Sequence, residues 1–434
     1  MNNESNKTNS MMEWIRSGSW VATSNFAEGI PYVAVMTLSL IMYKNMGLSN
    51  TDVTLYTSWL YLPWVIKPLW SPFVDVLKTK RFWILLMELV IGATLAGVAF
   101  TLPTSFWLQG TLCFFWLMAF SSATHDIAVD GFYMLGLDQQ KQSVFVGVRS
   151  FFYRVSMILG QGALVMLVGK WLEETGKVAY SWSLVFYLMS ALFICLFIFH
   201  ALILPKPDED GKNEKSSAKD IWRELIDTVV TFFKKPQVIA GICFMLFYRM
   251  PEGLLVKIST LFLIDNPSSG GLGLTEVQLG LVQGTVGVVG LVAGGIIGGI
   301  LAGIYGLKRC LWPMVCSITL PDLVYVYLAY ALPANLAVVN VCVFIEQFGY
   351  GFGFTAYMLY LIYYSQGEHK TSHYALCTAF MALSMMLPGM IAGALQEVVG
   401  YRLFFIIVML CCLITFLVAS FVRIDADFGR KKKE

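Results

Sequence analysis

Residues 205–235 read PKPDEDGKNEKSSAKDIWRELIDTVVTFFKK, the one long polar interruption in a chain that is otherwise a succession of apolar stretches. Pro205 and Pro207, followed by Asp, Glu and Gly, end a helix and open a linker. Further along, Ile221, Trp222, Leu225, Ile226, Val229 and Val230 recur at helical spacing among charges. Two readings stand for that part: an amphipathic helix lying on a membrane face, or a solvated helical linker. On each side of the interruption, apolar runs of about 20 residues recur, the length that a bilayer-spanning helix needs.

Working outward, the predicted spans are 18–43, 53–77, 82–102, 106–136, 143–169 and 182–204 before the linker. After it come 236–264, 275–305, 310–332, 335–365, 371–398 and 401–422. The expected organisation is a tail (1–17), a six-helix bundle (18–204), the linker (205–235), a second six-helix bundle (236–422) and a basic tail (423–434). Composition agrees: the 434 residues are 57% hydrophobic and 13% charged, where soluble proteins carry roughly 25% charge. This excludes a water-soluble enzyme, a nucleic-acid binder and a disordered chain. The nine cysteines all lie in or beside apolar segments, so neither a disulfide framework nor a zinc site is expected. Residues 1–17 lack the apolar core of a signal peptide, and the first helix is expected to insert as a permanent span.

Orientation follows from the basic residues. With the N terminus cytoplasmic, 21 of the 30 Lys and Arg fall on that side, including Lys78, Lys80, Arg81, Lys308 and Arg309, and four fall opposite. Both termini are therefore expected in the cytoplasm.

The two halves resemble each other at a nearly fixed offset. Glu28-Gly29 matches Glu252-Gly253, Thr51-Asp52-Val53 matches Thr275-Glu276-Val277, and Tyr133-Met134-Leu135 matches Tyr357-Met358-Leu359, all at 224 residues. Lys80-Arg81 matches Lys308-Arg309, and Ser156-Met157 matches Ser384-Met385, at 228. Two parallel six-helix repeats joined by a linker are the arrangement of the major facilitator fold. The expected class is thus an all-α membrane protein of twelve transmembrane helices in two six-helix repeats. Resemblance to that superfamily implies that the first, fourth, seventh and tenth helices line a central cavity.

Charges within spans are costly, and each marks a functional candidate. The first span carries Glu28, the fourth His125, Asp126 and Asp130, the seventh Arg249, Glu252 and Lys257, and the tenth Glu346. Lys67, Arg149 and Arg154 come from the second and fifth. Such a lining implies a polar cargo. Asp126 and Asp130 are one turn apart and share a helix face. Equal depth on the antiparallel fourth and fifth spans permits Asp130 to meet Arg149 and Asp126 to meet Arg154. The two arginines lie about 140° apart around their helix, so only one is expected to face the acids. The cluster reads either as a coupling and substrate site or as an ion-pair network locking helices. His125 reads as cavity lining or as a helix–helix hydrogen bond; Glu88 and Asp322 read as satisfied scaffold groups. His369 and His373 have metal-pair spacing without a third ligand, and no metal is expected. Glycines at four-residue spacing (Gly290, Gly294, Gly298 and Gly295, Gly299, Gly303) read as close helix packing, and Pro31, Pro63, Pro68 and Pro251 as kinks.

The stretch SSATHDIAVDG (Ser121–Gly131) resembles the Ser-Ala-(Ser/Thr)-Gln-Asp-Ile-x-x-Asp-Ala pattern of the anhydromuropeptide permease (AmpG-like) branch of the superfamily, which also holds acetyl-coenzyme A transporters. KPLWSPFVD (Lys67–Asp75) is similar to that branch's Lys-Phe-Leu-Trp-Ser-Pro-Leu-x-Asp. Phe26 with Gly29-Ile30-Pro31, Tyr153-Arg154, Tyr248-Arg249 with Glu252, and Phe344 with Glu346 also match. His125, Glu28 and Lys257 depart from the pattern, standing for a glutamine, a small residue and no charge respectively. The resemblance implies proton-coupled import of N-acetylglucosaminyl-anhydro-N-acetylmuramyl cargo, with or without peptide, through the bacterial inner membrane by alternating access. Asp126, Asp130 and Glu28 would carry protons. Lys67, Arg154 and Arg249 would hold anionic parts of the cargo, with Glu252, Glu346, His125, Arg149 and Tyr153 as further contacts. Asp75, Lys80 and Arg81 would form the superfamily's gating loop. Expected partners are a small polar cargo, protons and membrane lipid, with no nucleic acid and no cofactor. No Gly-x-x-x-x-Gly-Lys-(Ser/Thr) loop is present, so ATP is not the expected driver. The rival readings are import of another polar solute (sugar, peptide or siderophore), a non-transporting sensor, or a membrane-embedded enzyme, against which four scattered histidines argue.

Overall fold

The structure is a computed structural model describing residues 2–207, 210, 218–367, 370–425, 428 and 429. Helices account for all its regular structure among the described residues. Ten of them are long and apolar enough to cross a membrane. Nine are single spans: Met11–Asn45, Lys80–Thr101, Trp107–Gly136, Gln140–Thr175, Val178–Ile203, Val238–Ile264, Glu276–Tyr305, Leu307–Ala331 and Leu336–Ser365. The tenth, Lys370–Phe421, holds two expected spans, divided where Gly400 adopts a left-handed φ of 75°. The expected second span completes the twelve but is broken into Asn50–Trp59, Leu62–Ile66, a 3-10 turn at Lys67–Leu69, and Ser71–Leu77. Prolines cause those breaks: Pro63 and Pro72 begin new helical pieces, where a missing N–H costs nothing, and Pro68 lies in the turn. In the seventh span Pro251 likewise restarts the helix, interrupting it at Tyr248 and Arg249 between Val238–Phe247 and Met250–Ile264.

The chain divides into two compact units, and their boundaries depart from the repeat boundaries. One comprises Met1–Val35, Leu69–Gly160 and Lys177–Ile221; the other Met36–Pro68, Gln161–Gly176 and Trp222–Glu434. Three crossings fall in irregular backbone: a π-helical segment at Ala34–Leu38, the 3-10 turn at Lys67–Leu69, and a π-helical segment at Ile158–Leu164. Each unit has its own core, with Trp20, Ile84, Phe132 and Leu204 in the first, and Phe244, Tyr248, Met314 and Tyr357 in the second.

In the second unit the eighth and tenth spans touch through backbone. A Cβ at Gly290 would lie 2.8 Å from the Phe344 carbonyl, and one at Gly294 would lie 2.0 Å from that of Phe348. Gly298 approaches Thr355 in the same way. Of the second small-residue face, Gly299 and Gly303 meet nothing, while the Gly295 backbone lies against Gly351 and Thr355, so only the start of that face packs closely. Ile296, Ile300 and Ile304 beside them are exposed, as lipid-facing residues are.

The linker helix is Ala218–Phe233. In the first unit the backbone N–H groups of Lys80 and Arg81 donate to Asp210 of the linker at 2.7 and 3.2 Å, and the Arg81 guanidinium donates to the Ala201 carbonyl at 2.6 Å. The expected gating loop is thus tied to the linker by its main chain. The side chain of Asp75 and residue His369 lie outside the described ones.

Candidate functional site

Each unit gathers ionisable side chains inside its spans. In the first, Arg149 of the fifth span donates through Nη2 to Asp130 of the fourth, and through Nε to Asn25 of the first at 3.0 Å. The guanidinium lies 4.5 Å from the Tyr133 ring centroid, a cation–π distance. The Tyr133 hydroxyl in turn bonds the Gln142 carbonyl. Glu28 lies beside Asp126 and feels its charge together with those of Asp130 and Arg149. Tyr153 is an electrostatic neighbour of Glu28, Asp126, Tyr32 and Arg154. The structure therefore brings together Glu28, Asp126, Asp130, Arg149 and Tyr153. Of the pairings permitted by depth, that of Asp130 with Arg149 is formed, and Asp126 lies beside Glu28. Asn25 escaped the sequence reading, although it sits one turn before Glu28 on the same helix.

His125 is fully buried 3.4 Å from Glu88 of the third span. His200 of the sixth lies 2.5 Å from the same carboxylate oxygen and 2.8 Å from the Thr23 hydroxyl. Helix-to-helix bonding, one of the two readings of His125, is what the geometry displays, and Glu88 is the acceptor for both imidazoles.

In the second unit Arg249 sits in the helix break before Pro251, which turns its side chain into a cage of aromatic rings. Its guanidinium lies 4.6 Å from the Phe354 centroid, 5.6 Å from Tyr350 and 5.7 Å from Tyr357, and it donates to the Tyr350 hydroxyl. Tyr357 is the repeat counterpart of Tyr133, so both units place an arginine over the same tyrosine position, from non-equivalent spans. Glu252, counterpart of Glu28, gathers with Asp322 and Glu346, their carboxylate oxygens within 4.8 Å of one another. The three side chains are only 4%, 3% and 2% exposed. Gln347 donates to both oxygens of Glu346 at 3.2 and 3.0 Å, and the Cys412 thiol lies 3.7 Å from Asp322. Asp322, expected as a satisfied scaffold group, accepts from the Cys412 thiol and also belongs to a carboxylate triad. It gets there because the ninth span breaks at Leu320–Asp322 and because Gly349 lets the tenth approach: a Cβ there would lie 2.3 Å from the Ser317 carbonyl.

Lys257 is 3% exposed, donates to Thr57 Oγ1 at 2.7 Å, and lies 5.6 Å from the Tyr61 ring. Among the described residues no carboxylate pairs with it. Lys67, in the second span's 3-10 turn, is half-buried. Arg154 stands beside Tyr153 in the fifth span.

Residues 21–362 match the family model of the Major Facilitator Superfamily. An Escherichia coli K12 protein named anhydromuropeptide permease is 24% identical over 88% of this chain and 74% of its own length. A Rickettsia conorii protein named as a transporter, AmpG 4, is 24% identical over 89% of this chain and 91% of its own. Among solved structures, a POT family transporter in complex with 5-aminolevulinic acid superposes with a TM-score of 0.70 at 11% identity, covering 94% of this chain and 96% of that one. The nucleoside transporter NupG does so at 0.68 and 13%, covering 93% and 98%. At these identities the structures speak for the fold alone.

Proposed function

The chain belongs to the major facilitator superfamily of membrane transporters, and on that premise we propose that it is a proton-coupled secondary active importer of anhydromuropeptides. In this reading it lies in the bacterial inner membrane with both termini cytoplasmic and moves an N-acetylglucosaminyl-anhydro-N-acetylmuramyl cargo inward. The resemblance of Ser121–Gly131 and Lys67–Asp75 to the permease branch supports the cargo, as do the names of the relatives above.

One observation carries the coupling: the Glu28 carboxyl lies beside Asp126, with Asp130 and Arg149 also acting on it. Two neighbouring carboxylates repel each other, and a proton taken up by one of them relieves that repulsion. Beside this pair Asp130 has a fixed counter-ion in Arg149. In this reading a close carboxyl pair next to an ion pair takes up and releases a proton as the site opens to either side. Coupling requires that the proton bind the two states differently, and loss of the Glu28 partner on opening supplies that difference. Arg249, Arg154 and Lys67 take the muramyl carboxylate in this reading, with Arg249 held for it by its aromatic cage. Glu252, Glu346, His125 and Tyr153 serve polar groups or the packing around them.

Uptake by proteoliposomes tests both parts. Anhydromuropeptide should accumulate when the outer pH is lowered, ahead of free amino sugars and dipeptides. Asp126→Asn should abolish that accumulation while leaving cargo binding measurable and the protein monodisperse on size exclusion. A folded Asp126→Asn protein that still accumulates cargo in a pH gradient overturns the coupling role; preference for another solute overturns the cargo.

A further inference from the structure

A cavity of about 1140 Å³ opens where the ends of five spans meet in the second unit. It lies at the start of the seventh, ninth and eleventh spans and the end of the tenth and twelfth, apart from Arg249 and the carboxylate triad. Hydrogen bonds knit its wall. Lys235 Nζ donates to the carbonyls of Tyr364 and Gln366 at 2.7 and 2.6 Å, and the Arg423 N–H donates to Gln237 Oε1 at 3.3 Å. The Leu307 N–H donates to the Phe428 carbonyl at 3.0 Å, and the Phe428 ring packs edge-on against Tyr363.

Charge in this cavity is one-sided. Lys234, Lys235, Lys308 and Arg423 line it against one carboxylate, Asp425, among the described residues. Lys234, Lys308 and Arg423 make no side-chain ion pair among those residues. Lys235 spends two of its three donors on carbonyls, which fixes the ammonium on the wall and leaves one donor over. Such a concentration of positive charge selects an anion.

The neighbouring helix sets the depth. Along Ala218–Phe233, the side chains of Trp222, Ile226, Val230 and Phe233 are exposed, and their spacing puts them on one face. Exposed Arg223 and Asp227 lie elsewhere on the helix, and buried Phe232 anchors it against Phe380 and His373. An amphipathic helix with a bare apolar face lies in the interfacial plane, and it ends immediately before Lys234. Trp312, half-exposed on the cavity's rim, is a residue type that seeks the same plane.

We propose that this cavity binds the phosphate headgroup of an anionic phospholipid. Basic pockets between span ends are suited to such headgroups. Its volume exceeds the 300–1,000 Å³ or so of a small-ligand pocket, room for a phosphate with its glycerol and more than a bare ion needs. The lipid would bridge the seventh, ninth, tenth, eleventh and twelfth spans at one end, and its site is independent of the cargo.

The test uses the full chain in nanodiscs of phosphatidylcholine doped with phosphatidylglycerol, with retained lipid counted by native mass spectrometry. The wild-type protein should retain phosphatidylglycerol in preference to phosphatidylcholine. The Lys234→Gln/Lys308→Gln/Arg423→Gln variant should lose that preference by tenfold or more, and the single variants a few-fold each. Since these side chains are exposed, all should remain monodisperse. Lys170→Gln/Lys177→Gln, which also removes positive charge but lies outside the cavity, should retain lipid as the wild type does. A second arm adds inorganic phosphate to phosphatidylcholine discs and follows thermal melting, where no stabilisation is expected. Retention unchanged in the triple variant, equal loss in the control, or stabilisation by inorganic phosphate matching that by phosphatidylglycerol overturns the proposal.

Discussion

Lys257 is the residue whose surroundings fit its charge least. A buried ammonium without a counter-ion costs several kcal/mol, and here its partners are one hydroxyl and one ring. Thr57 also donates to the Val53 carbonyl at 2.7 Å, so removing the lysine leaves no orphaned hydroxyl. Lys257→Met should therefore raise thermal stability, by on the order of 1–3 kcal/mol. Lys257→Gln, which buries an amide on a shorter stem, should not. Melting curves in detergent read the difference; equal melting of the wild type and the Met variant would mean that an unseen charge compensates Lys257. Residue-level reading of the sequence went furthest where depth alone decided the contact. Asp130 and Arg149 were matched by position along antiparallel helices, and they meet. Asp126 also lies beside Glu28 of the first span, a neighbour that depth along the fourth and fifth spans does not address. Asp322 lay beyond reach, since a local helix break and the approach of Gly349 bring it to Glu252 and Glu346, and both depend on packing.

Among elements, the glycine stripe of the eighth span shows how much a helix face can matter. Gly294 and Gly299 look alike in sequence, but a methyl group at Gly294 must push the tenth span away from a carbonyl 2.0 Å distant, whereas one at Gly299 meets open space. Gly294→Ala should destabilise the fold by about 1–3 kcal/mol, the cost of overpacking. Gly299→Ala should be neutral or gain up to about 1 kcal/mol from helix propensity. Thermal melts of the two purified variants give the comparison, and equal behaviour would mean that the two spans do not touch as described. The proline breaks in the second and seventh spans were legible because proline forbids a specific hydrogen bond. The π-helical segments at Ala34–Leu38 and Ile158–Leu164 were not. Neither contains a proline, and a π turn records tertiary demands that local composition does not display.

For the whole molecule, the linker and the span pattern foretold twelve helices in two repeats, and the family match agrees. Contacts nevertheless divide the chain elsewhere, giving residues 36–68 and 161–176 to the unit that holds the C-terminal spans. Cutting at residue 210 should therefore not yield two stable halves. Residues 1–210 expressed alone should be aggregation-prone or degraded, and co-expression with 211–434 should restore a monodisperse complex. Fluorescence-detected size exclusion of tagged fragments would decide it, and a stable, monodisperse N-terminal fragment would count against the division.

That division also imposes an order on synthesis. The ribosome delivers the first six spans before any C-terminal span exists, so residues 36–68 and 161–176 enter the bilayer with their partners still unmade. Polar side chains among them, Asn50, Thr51 and Thr54, later bond Gln396, Glu397 and the Gly393 N–H, near the far end of the chain. Until 339 to 346 residues have been added after them, those groups must be kept hydrated at the membrane surface or shielded by an insertion factor. Maturation of this protein is thus gated by its last spans, and a nascent chain stalled before residue 393 holds an N-terminal region that is inserted but unfinished.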